Sequence, residues 1–136
     1  MLREKVAKTK IDGLLHRRNL ERHRLALRSA IAALNNLHRE DVEAVVIGSL
    51  AAGNFMPHSD VDFLIVGSIE PIKRGRIERI IAKAMAGSNI KHDVVYDEDI
   101  KQEDRGEFHH VKADASALSR LAKEVEEPRR RDAQSA

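Results

Sequence analysis

Two aspartates, Asp60 and Asp62, stand two residues apart at the head of the apolar run Phe63-Leu-Ile-Val66. On an extended strand, residues at that spacing project from one face. Their carboxylates are therefore close neighbours that repel each other. Solvent tolerates such a pair, and a divalent cation between them favours it. Hard oxygen donors on a rigid strand suit Mg²⁺, which takes one or two carboxylates and fills its shell with water and phosphate oxygens. Taken alone, Asp-x-Asp reads first as a polar strand entrance. Position breaks the tie: Gly48-Ser49 ends the preceding run Glu43-Ala-Val-Val-Ile47. Glycine there permits a sharp turn whose N–H groups form an anion-binding nest, and Ser49 adds a hydroxyl donor.

A phosphate site at one strand's end, beside a metal-binding pair entering the next, makes a place for a nucleoside triphosphate. A third carboxylate, Asp93, lies within Ile90-Lys-His-Asp-Val-Val-Tyr96. An acid inside an otherwise buried strand is costly unless paired, protonated or metal-bound. If that strand lies beside the Asp60 strand, Asp93 completes a three-carboxylate cluster. Asp97, Glu98 and Asp99 fall after the strand pattern ends and read as a solvated turn or a helix N-terminus.

Other chemistries fit less well. A phosphatase of the haloacid dehalogenase type has its nucleophilic Asp at the end of an apolar strand, whereas here the apolar run follows the pair. The seven histidines have no metal-ligand spacing, and the adjacent His109-His110 reads as loop or surface. Ser29 and Ser49 have no evident His/Asp partners for a nucleophilic triad.

The elements that must position these residues follow from the hydrophobic pattern. Leu20, Leu27, Ile31, Leu34 and Leu37 recur at helical spacing, so Asn19–Glu40 reads as an amphipathic helix, and Leu14 and Leu15 suggest a shorter one before it. That stripe could serve a dimer as easily as a core. Strands are expected at 43–47, 60–66 and 90–96, with 50–58 irregular between the first two. Ile77, Ile80, Ile81, Ala84 and Met85 form a second helical stripe, closed by Gly87-Ser88-Asn89. Weak helical character returns near Ala117–Val125. The order is helix, strand, strand, helix, strand, helix: an α/β domain with one sheet. Residues 1–18 are set apart as a basic helical segment, 19–127 as the domain, and 128–136 as a disordered tail.

Composition narrows the field. The 136 residues include no cysteine, which excludes disulfides and thiolate zinc sites and suits a reducing cytoplasm. No apolar run approaches the length of a membrane span, and the N-terminus lacks a signal-type apolar core. The net charge of +2 is uneven, with a basic N-terminal stretch of Arg and Lys and an acidic stretch over 98–127. Such stretches are usually solvated helix faces. With one tyrosine, three phenylalanines and no tryptophan, base stacking on single-stranded nucleic acid is disfavoured.

Gly48-Ser49, ten intervening residues, Asp60-x-Asp62, and a separate Asp93 in an apolar strand together resemble the minimal nucleotidyltransferases of the DNA polymerase β superfamily. The small size and the Ser59-Asp60-Val61-Asp62 setting resemble the MNT-type antitoxins paired with HEPN-domain toxins. The resemblance covers roughly residues 20–100. It implies a small polymerase β-like fold with one sheet and flanking helices. It also implies ATP as nucleotide donor, two Mg²⁺ ions on Asp60, Asp62 and Asp93, and the triphosphate on Gly48 and Ser49, with Ser59 on the nucleotide side. Asp93 would also activate the acceptor hydroxyl. The implied acceptor is a tyrosine of a HEPN-type partner protein, in a homo- or hetero-oligomer.

One departure stands out. Many such proteins carry a basic residue shortly after the Gly-Ser pair, where this chain has Leu50-Ala51-Ala52, and Lys73 or Arg74 is a candidate substitute; His58 also stands where an acid is common. Two further readings therefore remain open: a catalytically weak or inactive module that neutralises its partner by complex formation, and a small-molecule (antibiotic) nucleotidyltransferase, which usually needs an additional substrate-binding domain.

Overall fold

A computed structural model of the chain describes residues 2–104 and 111–135, with side chains from His16 through Asp104 and from Val111 through Val125. His109-His110 lies outside the described residues.

The first helix, α1, runs unbroken over Leu2–Arg39, through Gly13 and Asn19, where the sequence suggested a boundary. Its 38 residues span about 57 Å at 1.5 Å per residue. Of the expected stripe, Leu27, Leu34 and Leu37 are buried and Ile31 partly so, and Ala26, Ala30 and Ala33 join them in facing α3 and α4, defined below. The helix stops because Asp41 takes a left-handed conformation (φ 59°). The Val42 N–H then bonds the Leu37 carbonyl and the Asp41 N–H bonds that of His38, both at 3.0 Å. This is a Schellman ending, with Leu37 and Val42 as its apolar contact.

Three strands follow: β1 (Ala44–Ile47), β2 (Val61–Ile65) and β3 (His92–Tyr96), in the spatial order β1-β2-β3. β2 pairs antiparallel with β1 and parallel with β3. A parallel pair needs a crossover, supplied by α3 (Pro71–Met85), which has proline in its first turn, where the missing N–H is harmless. A 3₁₀ turn (Ala86–Ser88) ends it, and Asn89 takes the left-handed conformation (φ 56°). The sequence predicts an irregular segment over 50–58; its first residues instead belong to one helical turn, α2 (Ser49–Ala52). The last helix, α4, covers Ala115–Ser135. Asp114 caps it by accepting the Ala117 N–H at 2.8 Å. Its backbone stays helical through Pro128, where the sequence suggested a disordered tail.

Alternation along β2 divides its residues between the two sheet faces. Val61, Phe63 and Ile65 face the core, against Leu27, Leu34, Leu37, Ile77, Ile81 and Met85. Asp62 and Leu64 face the other way. Along β3, Val94 and Tyr96 join the core while Asp93 and Val95 alternate with them. Residue Ala113 exchanges two 2.9 Å backbone bonds with Val46, covering the outer edge of β1. Among the described residues no helix is long and apolar enough to cross a membrane.

Candidate active site

The row of paired residues across the sheet builds the site. Ile47 of β1 stands opposite Asp62 of β2, which stands opposite Asp93 of β3. Directly paired residues share a face, so Asp62 and Asp93 present their carboxylates side by side, away from the core. Asp60 precedes β2 and adds its charge nearby. Burial first, then the charges of Asp93 and Asp60, push the Asp62 carboxyl above the ordinary aspartate range. Asp93 itself is exposed, because β3 is the last strand of the sheet. The sequence argument that it is a buried acid in need of a partner is corrected accordingly; its closeness to Asp62 comes from strand register.

β1 ends at Gly48, whose backbone (φ 78°, ψ −154°) lies in a region essentially reserved for glycine. The chain then enters α2, and the Ala52 N–H closes the turn on the Gly48 carbonyl at 3.0 Å. At the head of a helical turn, the first N–H groups have no carbonyl within the helix to bond. Gly53 (φ 80°) ends the turn. A pocket of about 650 Å³ opens here, lined by Gly48, Ser49, Ala52, Asn54, Asp62 and Asp93, with a wall from Ile47, Val94, Val95 and Val111.

Four of the six residues singled out in the sequence, Gly48, Ser49, Asp62 and Asp93, thus line one pocket. Asp60 adjoins it through its charge on Asp62 without forming the wall. Ser59 is employed elsewhere: its Oγ accepts the Met56 N–H at 2.9 Å, and its own N–H bonds the Met56 carbonyl at 3.0 Å, closing a turn.

Arg74 is likewise committed. It donates to Asp99 and Glu98 at 2.6 Å each and stacks 4.0 Å over the Tyr96 ring. It therefore packs the outer end of β3 and does not line the pocket described above. The expectation of a turn at 97–99 holds, and the Arg74 guanidinium holds the Glu98 and Asp99 carboxyls below their usual ranges.

Among the described residues, no group of three or more His, Cys, Asp or Glu side chains is gathered so as to hold a metal ion, Asp60, Asp62 and Asp93 included. The donor set fits an open site. Mg²⁺ needs only one or two carboxylates from the protein, and the Asp62 carboxyl, raised first by burial and then by the charges of Asp93 and Asp60, stands where a cation would favour its ionised form.

Sequence reasoning missed three residues. Asn54, within the segment expected to be irregular, lines the pocket. Ala52 does too, whereas Leu50 and Ala51 are buried. Arg22 of α1 reaches the Met56–Ser59 turn, 37 residues away from Ser59, with no local signal that could have placed it.

A family model described as a nucleotidyltransferase domain matches residues 27–130, most of the chain. No curated protein matches it.

Proposed function

The chain belongs to the nucleotidyltransferase domain family, and on that premise we propose that it transfers AMP from ATP, with Mg²⁺, to a tyrosine hydroxyl of a HEPN-type partner toxin that it neutralises. The observation supporting nucleotidyl transfer is the convergence of the Gly48–Ser49 turn with Asp62 and Asp93 on one pocket; the tyrosine acceptor and HEPN-type partner rest on the sequence resemblance. Ser49 Oγ and the backbone N–H groups at the head of α2 bind and orient the triphosphate. Asp60, Asp62 and Asp93 would hold Mg²⁺, which when bound offsets charge on the attacking and leaving oxygens. Asp93, exposed at the sheet's end, accepts the proton of the incoming hydroxyl. The hydroxyl oxygen forms a bond to the α-phosphorus as the bond to the β-phosphate oxygen breaks, and pyrophosphate leaves.

One observation favours the second reading, neutralisation by binding alone. Among the described residues, the pocket lining includes neither lysine nor arginine, and Leu50, near which the sequence resemblance implies a basic residue, is buried. The two readings separate in one experiment: labelled ATP, Mg²⁺, this chain and the protein encoded beside it. Transfer of label to the partner by the wild-type chain, lost in Asp62→Asn, supports catalysis. Neutralisation of the partner without any label transfer, retained in Asp62→Asn, replaces it with the binding reading.

A further inference from the structure

Asp60 sits between two fixed points. After it, the Val61 N–H bonds the Lys91 carbonyl at 3.0 Å and begins the pairing with β3. Before it comes the Met56–Ser59 turn, and that turn is gripped from outside. The Arg22 guanidinium donates through Nη1 to the Met56 carbonyl at 3.2 Å and through Nη2 to the Ser59 carbonyl at 2.9 Å. The same guanidinium lies 5.0 Å over the Phe55 ring, which stacks on His23 with centroids 5.5 Å apart. Arginine's planar fork is suited to holding two acceptors at once, with its flat face on an aromatic ring.

The Ser59 carbonyl belongs to the peptide unit whose nitrogen is that of Asp60. Because that unit is planar, a hydrogen bond fixing the oxygen also fixes the direction in which the chain enters Asp60. Arg22 has a firm footing from which to do this, since four residues further along α1 begins the buried stretch Ala26–Leu37. We propose that Arg22 is a positioning residue for the Asp60–Asp62 pair, setting the Ser59–Asp60 peptide from α1 through its paired bonds to the Met56 and Ser59 carbonyls. Its catalytic consequence rests on the transfer reading above; its structural and metal-binding consequences do not.

The test compares wild type, Arg22→Ala and Arg22→Lys in three measurements: amide exchange, Mn²⁺ binding followed by its spin resonance, and label transfer at saturating ATP. In Arg22→Ala the Met56 and Ser59 amides exchange faster while those of β1 keep wild-type protection. Mn²⁺ affinity falls by roughly 10-fold or more, the scale of losing a residue that orients a metal ligand. Turnover falls by about 10–100-fold, with the KM for ATP little changed, because the Gly48–Ser49 turn is untouched. Arg22→Lys, a point charge able to serve only part of the fork, is intermediate in each. Unchanged exchange at Met56 and Ser59, or Mn²⁺ binding equal to wild type, overturns the proposal. So does an activity loss that merely tracks the fraction of folded protein. A wild-type chain that binds Mn²⁺ and transfers no label, with Arg22→Ala still binding the ion more weakly, leaves Arg22 as a positioning residue and removes the transfer reading instead.

Discussion

Asp62 lays its carboxylate against the backbone of Gly48: a β-carbon built on that glycine would stand 2.7 Å from Asp62 Oδ2. The contact joins the turn proposed for phosphate to the carboxylate proposed for metal, and it leaves no room for a side chain. Gly48→Ala is therefore expected to strain a backbone with positive φ, at about 1–3 kcal/mol, and to displace the carboxylate as well. Urea denaturation reads the first effect and Mn²⁺ titration the second. A Gly48→Ala protein with wild-type midpoint and affinity would show that the contact is unimportant.

Asp62→Asn should raise stability at neutral pH in the absence of divalent cations, while weakening their binding. The sign follows from the direction of its shift. A carboxyl raised in the folded state contributes stability that is fully present below the ordinary aspartate pKa and is lost as pH rises through the raised value. Glu98 and Asp99, held down by Arg74, behave oppositely: their contribution is present above the ordinary carboxylate pKa and lost as pH falls through the lowered values. Subtracting the Asp62→Asn stability curve from that of wild type, measured across pH by denaturation, isolates the first effect. Added Mg²⁺ should then favour wild type over the variant, since a ligand that binds only the folded state stabilises it. An Asp62→Asn protein less stable than wild type at neutral pH would contradict this account of the shift.

Ala52→Arg is expected to tighten ATP binding. Ala52 lines the pocket and is exposed, so a guanidinium there can meet a phosphate oxygen. A charge-assisted hydrogen bond contributes about 1.5–3 kcal/mol, which corresponds to roughly ten- to one-hundred-fold in affinity. Leu50→Arg, two residues earlier, should unfold the protein instead, since Leu50 is fully buried. Calorimetric titration with ATP and a thermal melt distinguish the two; equal affinities for wild type and Ala52→Arg would mean that the triphosphate lies elsewhere.

Arg74→Ala tests the opposite assignment. With its guanidinium on Glu98, Asp99 and the Tyr96 ring, its loss should lower thermal stability modestly, more so at low salt, and leave ATP affinity as in wild type. A large drop in ATP affinity at unchanged stability would return Arg74 to the phosphate site.

Gly75→Ala should stabilise the protein by about 0.5–1 kcal/mol. Gly75 lies within α3 with nothing within 4 Å of an added β-carbon, so alanine removes backbone freedom from the unfolded chain without a clash. A midpoint in urea equal to or below wild type would mean that this glycine has a role that the fold does not reveal.

What is legible in the sequence is short in range. Asp60 and Asp62 are two residues apart, Gly48-Ser49 are adjacent, and the apolar stripes repeat every three or four positions, so a reading of neighbours suffices. Asp93 is found for a partly wrong reason: its strand reads as buried, although only Val94 and Tyr96 join the core while the carboxylate stands in solvent. Adjacency to Asp60 could not show that the Ser59 hydroxyl closes a turn on Met56. Leu50-Ala51-Ala52 reads as a uniform gap in charge, yet one helical turn sends Leu50 inward and leaves Ala52 at the pocket. Arg22 is invisible, since its partners lie 34 and 37 residues downstream and a helix face rich in arginine offers no way to choose among them.

The row Ile47, Asp62, Asp93 also bears on how this sheet avoids assembling wrongly. If β3 slid by one residue along β2, Asp93 would fall opposite Val61 or Phe63, whose side chains face the core. A bare carboxylate would then be driven among Phe63, Ile77 and Ile81, while Val94 and Tyr96 were turned out to water. Each of those exchanges is unfavourable. The acid offered for chemistry is thus also a proofreader of strand alignment, and a residue inserted between Met85 and His92 should be taken up in the connection over 86–91 with the β2–β3 pairing left as it is.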